Sequence, residues 1–248
     1  PQKGSIFCMK LLEYQGKKMF KKYGIAIPIS QIVTTGMPFR LLFGNVRSGL
    51  LPKSKRKGIQ LTFPLILKAQ VPSGNRKLAG GIIEVRNKTE FNKAKKALFN
   101  KIINGYPVKK ILVEEKIIGG TELYLSFSYG TETRGPVLSI SNKGGTGINS
   151  ANIFPINITL GLTDFYLREI CAKSNIKLTA SLKKSILSLW KMFEEEKMLL
   201  AEINPLFQLE NTCIACDAKI ILDDNVVNPS YRPHLDLGGD IGILASGG

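Results

Sequence analysis

Apolar positions along this chain recur with two periods, and the places where the period changes mark out its elements. From 11 to 23, Leu12, Met19, Phe20 and Tyr23 fall near the spacing of one helical face, and Gly24 follows as the residue that closes the helix. Residues 25–33 read as extended, with Pro28 favouring a sheet edge. Two apolar runs, Phe63 to Val71 and Gly81 to Val85, flank Pro72-Ser73-Gly74-Asn75-Arg76-Lys77-Leu78-Ala79-Gly80, a pattern that predicts strand, flexible loop, strand. Thr89 is the expected cap of a helix from Glu90 to about Ile103, and Lys110 to Glu115 the expected next strand.

Glu122 to Ser128 alternates Leu123, Leu125 and Phe127 against Tyr124, Ser126 and Ser128, and with Val137 to Ser141 beyond Gly130–Gly135 it predicts a hairpin. After the Gly-rich Gly144-Gly145-Thr146-Gly147, helices are expected over about 163–172 and 180–196, then strands over 198–204 and 213–217. The stretch 35–61, rich in glycine and basic residues, predicts a short helix and a mobile loop. No internal repeat or low-complexity segment is present. The mixture of periods points to an α+β fold.

Composition narrows the class. A chain of 248 residues with 44% hydrophobic and 8% aromatic content can bury a real core, as one large or two small domains. It contains no run of about 18 apolar residues suited to a membrane span, and its opening lacks the long apolar segment of a secretory signal. No membrane association is expected, and the compartment expected is the cytoplasm. Cys8, Cys171, Cys213 and Cys216 have no framework spacing and read as reduced thiols. Cys213 and Cys216 lack the second pair that zinc requires, and strand alternation sends their sulfurs to opposite faces.

Lys and Arg outnumber Asp and Glu by 35 to 19, giving a net charge of +16, with a local cluster at Lys53-Ser54-Lys55-Arg56-Lys57. Nucleic-acid binding would gather that charge on one face among aromatic platforms. Here the lysines are scattered along outer helical faces such as 93–101 and read as solvated surface. No nucleic-acid partner is expected; the positive field suits a polyanionic nucleotide or an acidic partner subunit.

The candidate chemistry lies at strand ends. Leu200-Ala201-Glu202-Ile203-Asn204-Pro205-Leu206 is followed by Asp217, and an amide oxygen with a carboxylate on neighbouring strands suits Mg²⁺, whose shell phosphate and water complete. Glu202 lies two residues before Asn204 and shares its face. Lys68 ends an apolar strand; it either points to solvent or, turned inward, needs an anion. Glu114 and Glu122 end and open strands, where carboxylates are commonly just exposed but beside a phosphate site can receive ribose or base groups. The loop 73–81 has the glycine and basic content that lets backbone amides and Arg76 approach phosphate, and also the content of an ordinary surface turn. His234, in Tyr231-Arg232-Pro233-His234, reads as structural or exposed.

Five segments, in this order and spacing, resemble the β subunit of succinyl-CoA synthetase, the ADP- or GDP-forming succinate–CoA ligase. They are Met9-Lys10-Leu11-Leu12-Glu13-Tyr14-Gln15-Gly16-Lys17 with Tyr23-Gly24; Leu67-Lys68-Ala69-Gln70-Val71 with Ala79-Gly80-Gly81; Leu112-Val113-Glu114 with Glu122-Leu123-Tyr124-Leu125; Ala201-Glu202-Ile203-Asn204-Pro205-Leu206; and Gly239-Asp240-Ile241-Gly242. The resemblance implies an ATP-grasp fold, α+β, with two lobes clamping a nucleotide. It implies an extension over 1–8, the nucleotide-binding domain over 9–232, and over 233–248 a linker into a flavodoxin-like CoA-ligase domain of which only the start is present.

It further implies roles. Lys68, Asn75, Arg76 and Lys77 meet the phosphates of ATP or GTP, Glu114 the adenine and ribose side, and Glu122 the nucleotide pocket. Ile117 is carried over as a further nucleotide-contacting position. Asn204 and Asp217 hold Mg²⁺, Glu202 supports a phosphohistidine, and Ser246 stands where the family has a substrate-contacting asparagine. The phosphohistidine and the CoA site are expected on a partner α subunit, with CoA and a small carboxylate as the other substrates, in the cytoplasm or the mitochondrial matrix of a eukaryote.

The chain departs from the family further, with Pro72 where the family usually has a histidine, and at two motifs. Gly74-Asn75-Arg76-Lys77 replaces Gly-Gly-Arg-Gly, which puts side chains where backbone approaches phosphate, and Asn142-Lys143-Gly144-Gly145 replaces Thr-Glu-Gly-Gly. Alternatives follow: a citryl-CoA or malyl-CoA synthetase or ATP citrate lyase-like subunit, a non-catalytic ATP-grasp remnant, or a basic nucleic-acid binder with steeply salt-dependent affinity.

Overall fold

The computed structural model describes residues 7–37, 42, 60–145, 151–223 and 241–243. Most of the stretch 35–61, the Lys53–Lys57 cluster, His234 and Ser246 lie outside the described residues. The chain divides into two compact units, one of Pro1–Ile27 with Gly119–Gly248 and one of Pro28–Ile118.

The smaller unit is a four-stranded antiparallel sheet with a helix on one face. Its strands, in chain order, are β2 (Ser30–Thr34), β3 (Leu65–Ala69), β4 (Ile82–Val85) and β7 (Lys110–Glu115), arranged β2-β7-β3-β4. The edge position expected of the Pro28 segment is that of β2, though the strand begins only at Ser30. Helix α2 (Lys88–Phe99) covers one sheet face, where its Phe91 and Leu98 pack with Leu65, Leu67, Ile111 and Val113. Its cap is Asn87, not Thr89: the Asn87 side chain accepts from the Glu90 N–H at 2.9 Å, and the Glu90 carboxylate accepts from the Arg86 N–H at 2.8 Å. This reciprocal arrangement satisfies backbone donors one position pair earlier than a Thr89 cap allows. Nor does the helix reach Ile103, which belongs to a short ribbon of β5 (Ile102–Ile103) and β6 (Tyr106–Pro107).

The larger unit is an eight-stranded antiparallel sheet. Its strands are β1 (Phe7–Lys10), β8 (Thr121–Gly130), β9 (Gly135–Ser141), β10 (Asn152–Pro155), β11 (Met198–Gln208), β12 (Cys213–Ala215), β13 (Lys219–Asp223) and β14 (Ile241–Ile243). The order is β10-β9-β8-β11-β13-β1-β14, with β12 also on β11. The expected hairpin is β8–β9, with Tyr124 opposite Ser141 and Gly130 opposite Gly135. Helices α1 (Glu13–Lys22), α3 (Asp164–Lys173) and α4 (Ala180–Glu195) contribute to one core. There Phe127 lies 5.2 Å from the Trp190 ring, which stacks at 5.8 Å on Phe193.

Local chemistry fixes where these helices begin and end. Thr163 and Thr179 accept from the N–H groups of Tyr166 and Leu182, capping α3 and α4. Helix α1 ends at Gly24, φ +77°, where Ile25 N–H bonds Phe20 C=O at 2.9 Å and Gly24 N–H bonds Lys21 C=O at 3.2 Å. That pair of bonds needs a left-handed residue, which glycine supplies without a Cβ clash. Burial pushes the Cys171 thiol up to about 11, consistent with a reduced packing residue. Among the described residues no helix is long and apolar enough to cross a membrane.

Candidate functional site

In the smaller unit, β3 and β7 pair so that Ile66 faces Glu114 and Lys68 faces Leu112. Side chains alternate along each strand, so Lys68 and Glu114 share the face opposite α2 and lie one diagonal step apart. The solvent-exposed reading of Lys68 and the strand-end reading of Glu114 both give way here. Lys68 is 6% and Glu114 1% exposed, and the ammonium meets the carboxylate at 2.8 Å. A buried lysine requires such a partner, and Glu114 thereby fixes where the ammonium sits.

The loop after Lys68 forms a hydrogen-bonded turn. Gly81 N–H bonds Arg76 C=O at 2.7 Å and Gly80 N–H bonds Lys77 C=O at 3.0 Å, the closing pattern of a helix end compressed into one turn. Arg76 donates from Nη1 to the Ala69 carbonyl at 3.0 Å, which ties the turn to the end of β3. Lys101 donates to the Gly80 carbonyl at 3.0 Å from the other side. Asn75, where the related pattern has glycine, adopts φ +54°, a left-handed conformation that asparagine tolerates better than other side-chain-bearing residues. The replacement therefore preserves a glycine-like backbone. Asn75 and Lys77 are exposed, and Ile117, just beyond β7, is half-buried.

The larger unit brings Glu122 and Asn204 together at Gly145 and sets Asp217 across from Asn204 at a break in the sheet, with Glu202 further along β11. Glu202 pairs with Lys219 and Leu206 with Ala215, so stepping two residues inward from either end sets Asn204 opposite Asp217. Both strands change face at this point. On β11 the core residues Ala201 and Ile203 are followed by Leu206, and on the facing segment Cys213 and Ala215 are followed by Ala218 and Ile220. A spacing of three replaces the two of a regular strand, so Asn204, Pro205, Cys216 and Asp217 all stay out of the core. Asp217 thus lies between β12 and β13 and not on a strand, contrary to expectation. Cys213 and Cys216 do fall on opposite faces, by the alternation that holds up to the break.

Backbone glycines hold the amide. Asn204 Oδ1 accepts from Gly145 N–H at 2.6 Å while Asn204 Nδ2 donates to Gly145 C=O at 3.0 Å, a two-point clasp that settles which amide atom is the oxygen. Gly145 has φ +93°, and a Cβ there would come 3.3 Å from Glu122 Oε2, so the Glu122 carboxylate lies over the clasp. Asp217 Oδ1 accepts from Ala218 N–H at 2.8 Å. An amide oxygen and a carboxylate on one face are hard donors that fit Mg²⁺. Among the described residues no group of three or more His, Cys, Asp or Glu is placed to hold a metal. Mg²⁺ takes only one or two protein oxygens when phosphates and water supply the rest.

Glu202 stands on the polar face of β11 beside Tyr124 and Lys219. Tyr124 Oη lies 3.4 Å and Lys219 Nζ 3.7 Å from Glu202 Oε2, and Ser126 Oγ donates to Tyr124 Oη at 3.0 Å. Burial pushes the Tyr124 phenol up and the Glu202 charge adds to this, while the Ser126 hydrogen bond opposes it. The Tyr–Ser alternation of β8 carried the signal for this chain of hydroxyls. The Gly145 clasp had only the weak signal of a glycine pair.

Residues 53–208 match the family described as the ATP-grasp domain. The succinate–CoA ligase [ADP-forming] subunit β of Methanocaldococcus jannaschii is 31% identical, over 96% of this chain and 68% of that protein. The subunit of the same name from Aquifex aeolicus is 32% identical, over 92% of this chain and 58% of its own length. Among solved structures, the dinucleotide-forming acetyl-coenzyme A synthetase 1 of Ca. Korarchaeum cryptofilum, in complex with coenzyme A, Ca-AMPCP and HgCl⁺, superposes with a TM-score of 0.61 at 19% identity. It covers 86% of this chain and 93% of that one. At that identity the likeness concerns the fold.

Proposed function

We propose, from the premise that this chain belongs to the ATP-grasp family and within it to the β subunits of succinate–CoA ligase, that it binds ATP with Mg²⁺ and performs the phosphoryl transfer of that ligase. The overall reaction converts succinate, CoA and ATP to succinyl-CoA, ADP and phosphate. The phosphoryl group passes to a histidine on a partner α subunit, then to succinate, and the acyl phosphate is captured by CoA. No nucleophile is required of this chain. The ADP-forming relatives favour ATP over GTP, and their name favours succinate over citrate or malate.

Each unit has its share of the work. In the smaller, Lys68 carries positive charge for the phosphates from a position set by Glu114. The Asn75–Lys77 turn offers its backbone and two cations to phosphate, and Glu114 and Ile117 serve the base and ribose side. In the larger, Asn204 and Asp217 hold Mg²⁺, Glu122 lines the nucleotide site, and Glu202 receives the partner's phosphohistidine. When bound, Mg²⁺ neutralises charge developing on the transferred group, which is where most catalysis of phosphoryl transfer resides. The residues position and screen, which suits a chain whose Asn204, Asp217 and Arg76 side chains are tied to backbone groups and whose Lys68 is held by Glu114.

The observation that carries this reading is the register that sets Asn204 opposite Asp217 where both strands leave the core. Calorimetric titration with Mg-ATP tests it. The parent chain is expected to saturate, and Asp217→Ala to weaken binding about tenfold or more, at least the loss that follows removal of a metal's outer partners. Absence of binding by the parent chain overturns the enzyme reading and leaves a non-catalytic remnant; the left-handed Asn75, which keeps the phosphate turn in glycine-like form, speaks against that outcome.

A further inference from the structure

We infer that the buried Lys17–Glu13 pair of α1 positions Asp217, acting through the carbonyl of Cys216; this rests on the reading of Asp217 as a metal ligand. The opening motif of the chain contains both residues, and nothing in the proposed chemistry uses them. Lys17 is 2% exposed, and its ammonium lies 2.9 Å from Glu13 Oε1 and 2.8 Å from the Cys216 carbonyl oxygen. A lysine is held in a core only by partners of this kind.

The geometry ties that ammonium to the break in the sheet. Where the facing segment leaves β12, the Cys216 N–H still donates to the Pro205 carbonyl at 3.0 Å, keeping the segment against β11. Its carbonyl turns instead toward α1. A buried carbonyl that turns from its ladder must find a donor elsewhere, and Lys17 is that donor. The 216–217 peptide is planar and trans, so a carbonyl held on the helix side directs the Asp217 N–H to the opposite side. The backbone entering Asp217 is thereby fixed at the point that lies across from Asn204.

The helix also presses on the residue that follows. A Cβ on Gly16 would come 3.0 Å from Ala218 Cβ and 3.3 Å from Ile220 Cδ1, so a side chain there would make this segment give by a few tenths of an ångström. One helix turn thus grips the segment on both sides of Asp217, through a hydrogen bond before it and a close packing contact after it. Lys17 and Glu13 are positioning residues, and their effect should appear in metal affinity.

The test uses Mn²⁺ as the probe, titrated into the full chain in the presence of ATP and followed by electron paramagnetic resonance, with the urea midpoint as the measure of fold. Glu13→Leu/Lys17→Met removes the donor together with its counter-charge, which spares the fold an orphaned buried ion. The expected result is Mn²⁺ affinity about tenfold weaker, as when a ligand loses its outer partner, and no further loss when the pair is removed from an Asp217→Asn background. Parent-like affinity in the double variant, with Asp217→Asn impaired, overturns the inference alone. So does an equal loss in both backgrounds, which signals general loosening. A parent chain that does not bind Mn²⁺ with ATP overturns both this inference and the functional reading beneath it. Should the double variant not fold, Gly16→Ala pushes on the same segment, and the same non-additivity with Asp217→Asn is required of it.

Discussion

The two units place their chemistry by opposite means. Lys68 and Glu114 occupy ordinary positions of an unbroken antiparallel ladder, one diagonal step apart on the face away from α2. Asn204 and Asp217 occupy the point where β11 and its facing segment both lose their alternation, and the break keeps them outside the core. A regular ladder can present a charge only where its period allows, and must pair that charge if the face is covered. A matched pair of breaks lets two consecutive residues on each strand avoid the core. The donors so freed need other restraints, and the Gly145 clasp and the Lys17 hydrogen bond are those restraints.

This contrast can be broken most forcefully in the smaller unit. Glu114→Ala removes the carboxylate that meets the Lys68 ammonium on a covered face, and stability is expected to fall by about 3–5 kcal/mol in urea unfolding. Replacing both, as Lys68→Met/Glu114→Leu, is expected to recover most of that loss. If the single variant is as stable as the parent, the ladder does not depend on the Lys68–Glu114 pair and the contrast between the units fails.

In the larger unit the restraint is steric. A Cβ on Gly144 would lie 2.8 Å from the Leu123 carbonyl oxygen and 3.1 Å from Pro205 Cβ, both fixed by backbone. Gly144→Ala is therefore expected to cost about 1–3 kcal/mol, as overpacking does, with faster hydrogen exchange at the Gly145 amide that holds Asn204. Unchanged exchange at that amide would show that the glycine pair does not maintain the clasp.

The smallest effect sharpens the comparison by serving as its baseline. Asn87→Ala removes one helix cap from a regular element that carries no proposed chemistry, with an expected loss of about 1 kcal/mol and faster exchange confined to the first turn of α2. A much larger loss would mean that α2 governs its unit's stability as the ion pair is argued to.

Where the chain obeys one period at a time, sequence was a sufficient guide. β7 runs from Lys110 to Glu115 as expected, the β8–β9 hairpin follows from Leu123, Leu125 and Phe127 alternating with Tyr124, Ser126 and Ser128, and α3 covers Asp164–Lys173 close to the expected 163–172. The cap of α2 was misjudged by two residues because Asn87 and Thr89 are both good caps, and only the position of Glu90, whose carboxylate closes on the Arg86 amide, decides between them.

The order of motifs, the family they identify and the residue types at each candidate position were thus determined by the chain itself, since local spacing and composition are properties of sequence. Tertiary structure alone decided that Lys68 meets Glu114, that Asp217 falls between strands opposite Asn204, and that Gly145 and Lys17 hold that site in place. Each of these joins segments distant along the chain. Which hydrogen-bond donor a displaced carbonyl or amide finds is settled only when the backbone has already folded around it.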